Sequence, residues 1–335
     1  MKRHGNLFDQ VASLENIERA YISARKGKLH YREVRMIDKN PYTYLNDLSR
    51  MLNTDTYVPS DYTIFERKCS NGKIRQIYRL PFFPDRIIHH CIVQVLQPIW
   101  ITLLIRDTFS TIPGRGIRDG MMRLQDALRD RAGTAYCLKI DVKKFYPSVD
   151  HSILKDIIAK KVKDERLIKL LAQIIDSAPG IPIGNYISQW FGNIYLAYFD
   201  HYVKEDLSVK YYFRYCDDMV FLADSKDRLW SILKRVKSYL NDNLLLQLKQ
   251  NYQVFPVAAR GIDYLGYRFW HDHTLVRRGI VKAFKAMLKD KGTLVQKQKS
   301  AASYYGWFVH ANTKGLIYKY FDHETKLLRA PTCNC

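Results

Sequence analysis

Two short apolar runs, Tyr211 to Tyr215 (Y-Y-F-R-Y) and Met219 to Ala223 (M-V-F-L-A), are separated only by Cys216-Asp217-Asp218. Aromatic and branched residues on both sides of so short a polar break predict two strands folded back on each other, with two carboxylates at the tip of the hairpin. Upstream, Ala135 to Ile140 (A-Y-C-L-K-I) reads as a largely buried strand that delivers Asp141 at its end, and Asp150 opens a helix running toward Lys163. Downstream, residues 226 to 242 read as a helix and Tyr264 to Phe269 as a strand. Strand, helix, hairpin, helix, strand is the order of a ferredoxin-like α+β sheet with helices packed on one face. In that topology the end of the first strand and the hairpin tip lie side by side. Asp141, Asp217 and Asp218 are therefore expected to converge although they are far apart in the chain.

The flanks carry other patterns. Residues 11 to 55 read as helical, with Leu14, Ile17, Ala20, Tyr21 and Ala24 at helical spacing. Tyr57 to Ile64 leads into a basic hairpin around C-S-N-G-K-I-R-Q-I, with Asn71-Gly72 as its turn. Asp85 to Ile105 and Asp119 to Arg131 read as helices on either side of a Pro/Gly-rich loop, Thr108 to Gly120, and Val281 to Phe321 is basic, aromatic and mostly helical.

Charge narrows the partners. Lysine and arginine number 54 against 33 aspartates and glutamates, a formal charge of +21, and the basic residues are spread along the whole length. With 24 tyrosines and 15 phenylalanines, that excess favours nucleic acid over a merely solvated basic surface. A membrane is disfavoured: the most apolar segment, Cys91 to Ile105, is interrupted by Gln94, Gln97 and Pro98, and M-K-R-H-G-N has no signal-peptide core. Cysteines at 69, 91, 137, 216, 333 and 335 show no zinc-ligand spacing and read as reduced thiols, so a cytosolic protein is expected.

Clustered carboxylates repel one another and hold raised pKa values unless cations neutralise them. Hard oxygen ligands of this kind suit Mg²⁺. A bare Asp-Asp pair is ordinary turn chemistry. Phe145-Tyr146 shortly after Asp141, and apolar strands on both flanks of Asp217-Asp218, set this one apart.

Taken together, K-I-R (73–75), P-G-R-G-I-R-D-G (113–120), K-I-D-V-K-K-F-Y (139–146), I-G-N-Y-I-S-Q (183–189), F-R-Y-C-D-D-M-V-F (213–221) and I-D-Y-L-G-Y-R-F (262–269) resemble the reverse transcriptases over most of the chain. The resemblance implies a right-hand polymerase with a ferredoxin-like antiparallel palm sheet, mixed fingers and a helical thumb. On that reading residues 1–130 are fingers with an N-terminal helical extension, 131–275 the palm with a fingers-like insertion at about 151–182, and 276–335 the thumb. It implies two Mg²⁺ ions held by Asp141, Asp217, Asp218 and the Val142 carbonyl, activating a primer 3′-hydroxyl and stabilising the pyrophosphate leaving group. Lys73 and Arg75 alternate with Ile74, so both face one side of the hairpin and can clamp the triphosphate. Phe145 and Tyr146 border the nucleotide, Tyr146 as the gate that excludes a ribose 2′-hydroxyl, so deoxynucleotides are the implied substrate. Lys249 in L-Q-L-K-Q-N is the candidate general acid, and Leu265-Gly266-Tyr267 the candidate primer grip. Trp307 and the tyrosines of S-Y-Y-G-W-F-V-H-A-N are read as packed core of the thumb.

The block at 183–189 differs from the common pattern of glutamine-glycine, three variable residues and serine-proline: here it reads Ile183-Gly184 and Ser188-Gln189. Together with Q-W-F-G-N-I-Y-L and Q-V-F-P-V-A-A-R-G-I-D-Y-L-G-Y-R, this is similar to the reverse transcriptases of diversity-generating retroelements, which resemble group II intron-type bacterial enzymes. The likeness implies a bacterial or phage-encoded cytoplasmic enzyme that copies a template-repeat RNA with errors at adenines. It further implies a DNA or RNA primer and a small basic accessory variability protein, usually a homopentamer, as partners. An ordinary bacterial or intron-type reverse transcriptase is the alternative; a maturase domain or endonuclease has no room before residue 335, and no RNase H or integrase acids are apparent.

Overall fold

The structure is a computed structural model that describes residues 3–68, 72, 74–290 and 292–321. Asn71 and Lys73 of the sequence-predicted hairpin turn lie outside these residues, as do Cys69, Cys333 and Cys335.

The N-terminal helical stretch is four helices, α1 Phe8–Ala12, α2 Leu14–Arg25, α3 Arg32–Lys39 and α4 Pro41–Asn53. Ser13 starts α2 by accepting from Asn16 N, and Pro41 occupies the first turn of α4, where its missing N–H costs nothing. The basic hairpin follows as β1 Thr63–Lys68 and β2 Ile74–Arg79, antiparallel and largely exposed. Helix α5, Ile87–Ile101, is buried nearly all round and packs against α1, α2 and, later in the chain, the helix beginning at Tyr186.

The stretch Thr108 to Gly120, expected to be loop, begins instead with a two-residue strand, β3 Thr108–Phe109, and α6 starts within it at Ile117, ending at Ala127. The central strand β4 runs Tyr136–Asp141, followed by α7 His151–Ala159, α8 Glu165–Ile175, α9 Tyr186–Tyr195 and α10 Ala197–His201. Asp150 caps α7 by accepting from Ile153 N at 3.0 Å, and Asp164 caps α8 in the same way. The expected hairpin is β5 Tyr211–Tyr215 and β6 Asp218–Ala223, then α11 Lys226–Leu244 and β7 Gln253–Pro256. A short helix, α12 Val257–Arg260, precedes a three-stranded sheet of β8 Ile262–Tyr264, β9 Tyr267–Phe269 and β10 Thr274–Val276. Tyr264 to Phe269 is thus a hairpin and not one strand: Leu265 (φ 51°) and Gly266 (φ 87°) both take left-handed backbone at the turn. Helices α13 Arg278–Lys289, α14 Leu294–Phe308 and α15 Lys314–Phe321 complete the described chain.

The main sheet has the order β3-β5-β6-β4-β7. Its last four strands have the ferredoxin-like arrangement, and β3 adds parallel to β5 at the edge. One expectation needs correcting: both faces are covered, not one. Leu138, Ile140, Tyr212, Met219 and Phe221 point into a core shared with α5, α9 and α11. Their neighbours Cys137, Phe213, Val220 and Leu222 point into a second core with α6, the small sheet and the C-terminal helices. Strand alternation sends successive side chains to opposite faces, so an uninterrupted apolar strand requires both faces to be buried.

Candidate active site

The hairpin register sets the first distance in the site. Asp141, the last residue of β4, lies directly opposite Asp218, the first of β6, and Asp217 occupies the turn before it. The turn is made by Cys216, which adopts φ 54°. Burial in the first place, and then the Asp141 carboxyl to which it is hydrogen-bonded, pushes Asp217 up to about 6. Asp218 is also raised by burial, against the pull of Lys139, whose Nζ stands 3.3 Å from Asp218 Oδ2. Lys249 Nζ donates to Asp141 Oδ2.

The three acids are therefore not equivalent. Asp141 and Asp217 face one another, whereas Asp218 is turned toward Lys139, and among the described residues no three His, Cys, Asp or Glu side chains form a ready-made metal cage. Two buried carboxylate oxygens, Asp141 Oδ1 and Asp218 Oδ1, have no hydrogen-bond partner among the described residues. Buried unsatisfied anionic oxygens are costly. Together with the raised Asp217, they form a donor set of hard oxygens that fits a divalent cation. The backbone at Val142 also fits. Strand β4 continues against 247–249 through Lys143 N to Gln247 O (2.7 Å) and Lys249 N to Asp141 O (2.9 Å), bonds made by the residues on either side of Val142.

Phe145 and Tyr146 follow in a tight turn, their rings T-shaped at 5.4 Å, with Phe145 buried and Tyr146 half-buried. Gly192 of α9 lets that helix approach them: a Cβ there would sit 3.2 Å from Phe145 and 3.7 Å from Tyr146. The Tyr146 phenol is pushed up by burial and by Cys216 and Asp217 beside it, while Arg75 of β2 opposes the shift. That puts Arg75, Tyr146 and Asp217 in one neighbourhood; Lys73 is outside the described residues.

The block at 183–189 works as a strap. Ile181 N donates to Tyr146 O at 2.8 Å, and two residues later Ile183 O accepts from Tyr78 N of β2 at 2.8 Å. Gly184 (φ 131°) is required at this crossing, since a Cβ would lie 2.4 Å from Tyr78 O. Ile183 is half-buried and Gln189 exposed on α9, where its Oε1 accepts from Thr111 Oγ1 at 2.8 Å. Ile183 and Gln189 thus hold different neighbours, one the basic hairpin and the other the loop after β3.

A Cβ on Gly266 would meet the Trp307 ring at 2.5 Å, so the glycine serves close packing on α14. Buried Tyr267 donates to Trp307 O at 3.1 Å and packs on its ring at 5.4 Å.

Sequence reasoning missed the support behind the catalytic-looking turn. Arg214 and Asp200 are fully buried and paired, with Arg214 Nε 2.7 Å from Asp200 Oδ1, and Thr108 and Tyr212 hydroxyls donate to the same carboxylate. Arg214 Nη1 reaches on to the Cys216 carbonyl at 3.1 Å. Ser110 and Thr111, both at positive φ, add a second tie, because Cys216 Sγ donates to Ser110 Oγ at 3.1 Å. An arginine in the centre of an apolar strand was the available signal for the first tie, and Lys139 two residues before Asp141 was the signal for the lysine beside Asp218.

Comparison with known proteins then adds family evidence. Residues 66–269 match the family described as reverse transcriptase (RNA-dependent DNA polymerase). Among curated proteins, Escherichia coli protein YkfC is 24% identical, over 59% of this chain and 64% of that protein. The Lactococcus lactis group II intron-encoded protein LtrA is 20% identical, over 82% of this chain and 51% of that one. The chain thus spans about half to two thirds of the length of these relatives. Among solved structures, apo telomerase from Candida tropicalis superimposes with a TM-score of 0.51 at 14% identity, covering 83% of this chain and 64% of that chain. At that identity the likeness is one of fold: a mixed α+β right-hand polymerase.

Proposed function

The chain belongs to the reverse transcriptase (RNA-dependent DNA polymerase) family, and from that premise we propose that it is an RNA-directed DNA polymerase, a nucleotidyltransferase that extends a DNA or RNA primer with deoxynucleotides along template RNA. The observation that carries this reading is the under-satisfied acid cluster at the β4 end and the β5–β6 turn, inside the matched region. Asp141, Asp217, Asp218 and the Val142 carbonyl would hold two Mg²⁺ ions. When bound, these supply a more acidic primer 3′-hydroxyl and neutralisation of the leaving pyrophosphate.

The chain's own groups do the rest. Arg75 meets the triphosphate from the exposed hairpin, the role expected also of Lys73. Tyr146, next to Asp217, closes the space a 2′-hydroxyl needs. Lys249, whose Nζ donates to Asp141 Oδ2, would supply the proton taken by the leaving pyrophosphate. Gly266 and Tyr267, fixed by Trp307, steady the primer end. In this reading 1–130 are fingers and N-terminal extension, 131–275 palm with the insertion at 151–182, and 276–335 thumb.

We further propose that the enzyme serves a diversity-generating retroelement: it copies a template-repeat RNA into cDNA with adenine-directed errors and works with a homopentameric accessory variability protein. Support comes from Ile183 and Gln189. A glutamine at the first position is able to hydrogen-bond a nucleotide or template sugar, whereas isoleucine offers only apolar surface, so geometry at the nucleotide is policed less strictly. No helix among the described residues is long and apolar enough to cross a membrane. The reading is tested by extending a DNA primer on a defined RNA with Mg²⁺ and sequencing the product. Deoxynucleotide incorporation with errors concentrated at template adenines is the expected result. Faithful copying of adenine, with natural template and accessory protein present, replaces the retroelement by an ordinary intron-type enzyme. Ribonucleotide acceptance should appear in Tyr146→Ala; an unchanged sugar preference removes Tyr146 as the gate.

A further inference from the structure

His151, the first residue of α7, has an acceptor at each ring nitrogen: Nδ1 lies 3.0 Å from Asp176 Oδ1, and Nε2 lies 2.9 Å from the Gly180 carbonyl oxygen. A carbonyl and an ionised carboxylate only accept, and a neutral imidazole donates from one nitrogen, so both contacts are hydrogen bonds together in the imidazolium. Asp176, at the C-terminal end of α8, carries the matching charge. Desolvation raises its carboxyl, but the bonds from Lys155 and His151 outweigh that and hold it below the usual carboxylate range. Lys155 stands one turn along α7 from His151 and donates from Nζ to Asp176 Oδ2 at 2.7 Å, while Asp150, just before the histidine, is taken up by the Ile153 N–H. The Asp176 side chain is 49% exposed, so these pairs add little to stability; their consequence is to aim the ring.

The carbonyl that the ring holds belongs to the turn against which Tyr146 is set. Gly180 (φ 60°) is pressed on the backbone that follows Tyr146: a Cβ there would stand 2.6 Å from Tyr146 O and 2.7 Å from Pro147 O. The next residue, Ile181, donates its N–H to Tyr146 O at 2.8 Å, and Ile183 O accepts from Tyr78 N of β2. Residues 180–183 are thus fastened at three points, to α7 through His151, to Tyr146 and to the basic hairpin. The Tyr146 ring is bounded by Phe145 and by Gly192 of α9, and its carbonyl is the point through which the turn reaches it. A displaced turn therefore displaces the Tyr146 backbone and the ring it carries.

We propose that His151 is a positioning residue for the nucleotide gate: by holding the Gly180 carbonyl it keeps the 180–181 turn bonded to Tyr146 O, and so fixes where the Tyr146 ring stands against a nucleotide's 2′ position. That the ring is a sugar gate rests on the reverse transcriptase reading; the hold of His151 on the turn does not.

An asparagine amide places its N–H groups near the Nδ1 position and a glutamine amide near Nε2. His151→Asn therefore keeps a donor for Asp176 and loses Gly180, and His151→Gln does the reverse. Two readouts are taken on the full chain: hydrogen exchange of the peptide covering residues 178–184, and kcat and KM for single deoxynucleotide and ribonucleotide addition to a primer on RNA with Mg²⁺. For His151→Asn, exchange at the Ile181 amide should be about fivefold faster, and the deoxynucleotide preference in kcat/KM about five- to tenfold lower, carried by KM because the turn bearing the acids is untouched. His151→Gln should stay within about twofold of wild type on both. Unchanged exchange in His151→Asn, or equal changes in the two variants, overturns the proposal. Faster exchange with an unchanged sugar preference, in an enzyme whose Tyr146→Ala variant admits ribonucleotides, also overturns it and makes His151 structural. If His151→Asn does not fold, Asp176→Asn, which leaves the ring and removes the group that aims it, is read in its place with the same direction expected; loss of folding in both overturns the proposal. Failure of the premise reads differently: an unchanged sugar preference in Tyr146→Ala, or no extension by wild type, removes the gate and leaves the exchange result to judge the hold of His151 on the turn.

Discussion

Asp200 and Asp217 are both acids packed against the same sheet, and they are treated in opposite ways. Asp200 receives two hydroxyls and a guanidinium, leaving neither oxygen unpartnered. Asp217 has the Asp141 carboxyl as neighbour, is pushed up to about 6 by burial and that neighbour, and stands beside oxygens of Asp141 and Asp218 that no described residue satisfies. A fully satisfied buried acid is architecture: it anchors Arg214, and through Arg214 the Cys216 carbonyl. An under-satisfied one is stability given up where a ligand is to bind. The two are linked, since the satisfied pair fixes the turn that carries Asp217 beside the unpartnered oxygens of Asp141 and Asp218.

Breaking the satisfied member should have the largest effect on folding. Asp200→Asn leaves Arg214 buried with a partner that carries no charge, and a loss of about 3–5 kcal/mol is expected from denaturant unfolding. A loss below about 1 kcal/mol would mean that the pair is not the anchor. Next comes Lys139→Gln, which frees Asp218 from its lysine: extension should fall about tenfold, some 1.4 kcal/mol, with little change in Tm. Extension at the wild-type rate would show that Lys139 does not hold Asp218 for the reaction. Ile183→Gln, alone or with Gln189→Pro, should lower adenine errors relative to errors at other bases by up to about tenfold, about 1.4 kcal/mol of discrimination. An unaltered error spectrum separates the strap from fidelity. The smallest effect is on pH-dependent stability without divalent cations. With a folded value of about 6 against an unfolded value near 3.8, the folded chain holds the Asp217 proton longer. The contribution of Asp217 to wild-type stability is therefore lost as pH rises from about 4 to 6, and Asp217→Asn lacks that loss. The Tm gap in favour of the variant should open across that window by about a degree or two and stay flat above it.

The chain pattern carried much of this architecture and little of its wiring. Strands β4, β5 and β6 were readable because their apolar runs are bounded by polar turns, and the nearness of Asp141 to the hairpin tip follows from the strand order, whereas the register that sets Asp141 opposite Asp218 does not. Strand β3 was not readable: two residues carry no period, and only the partner strand, through Thr108 opposite Arg214, makes them a strand. The β8–β9 hairpin was missed because Leu265-Gly266, which takes left-handed backbone at both residues, is not among the usual two-residue turn pairs. The burial of both sheet faces was visible in the unbroken run M-V-F-L-A, yet the ferredoxin-like template suggested one covered face. The unequal acids depend on where Lys139 and Lys249 point, which spacing along the chain does not determine.

The most direct test of the account is the single-turnover rate of primer extension on RNA by Asp217→Asn at saturating Mg²⁺, template and deoxynucleotide. Loss of a carboxylate from the cluster should remove several kcal/mol of transition-state stabilisation, a fall of about a thousandfold or more, in a protein that folds and binds RNA as before. A rate within tenfold of wild type would contradict the assignment of the under-satisfied acids as the catalytic site.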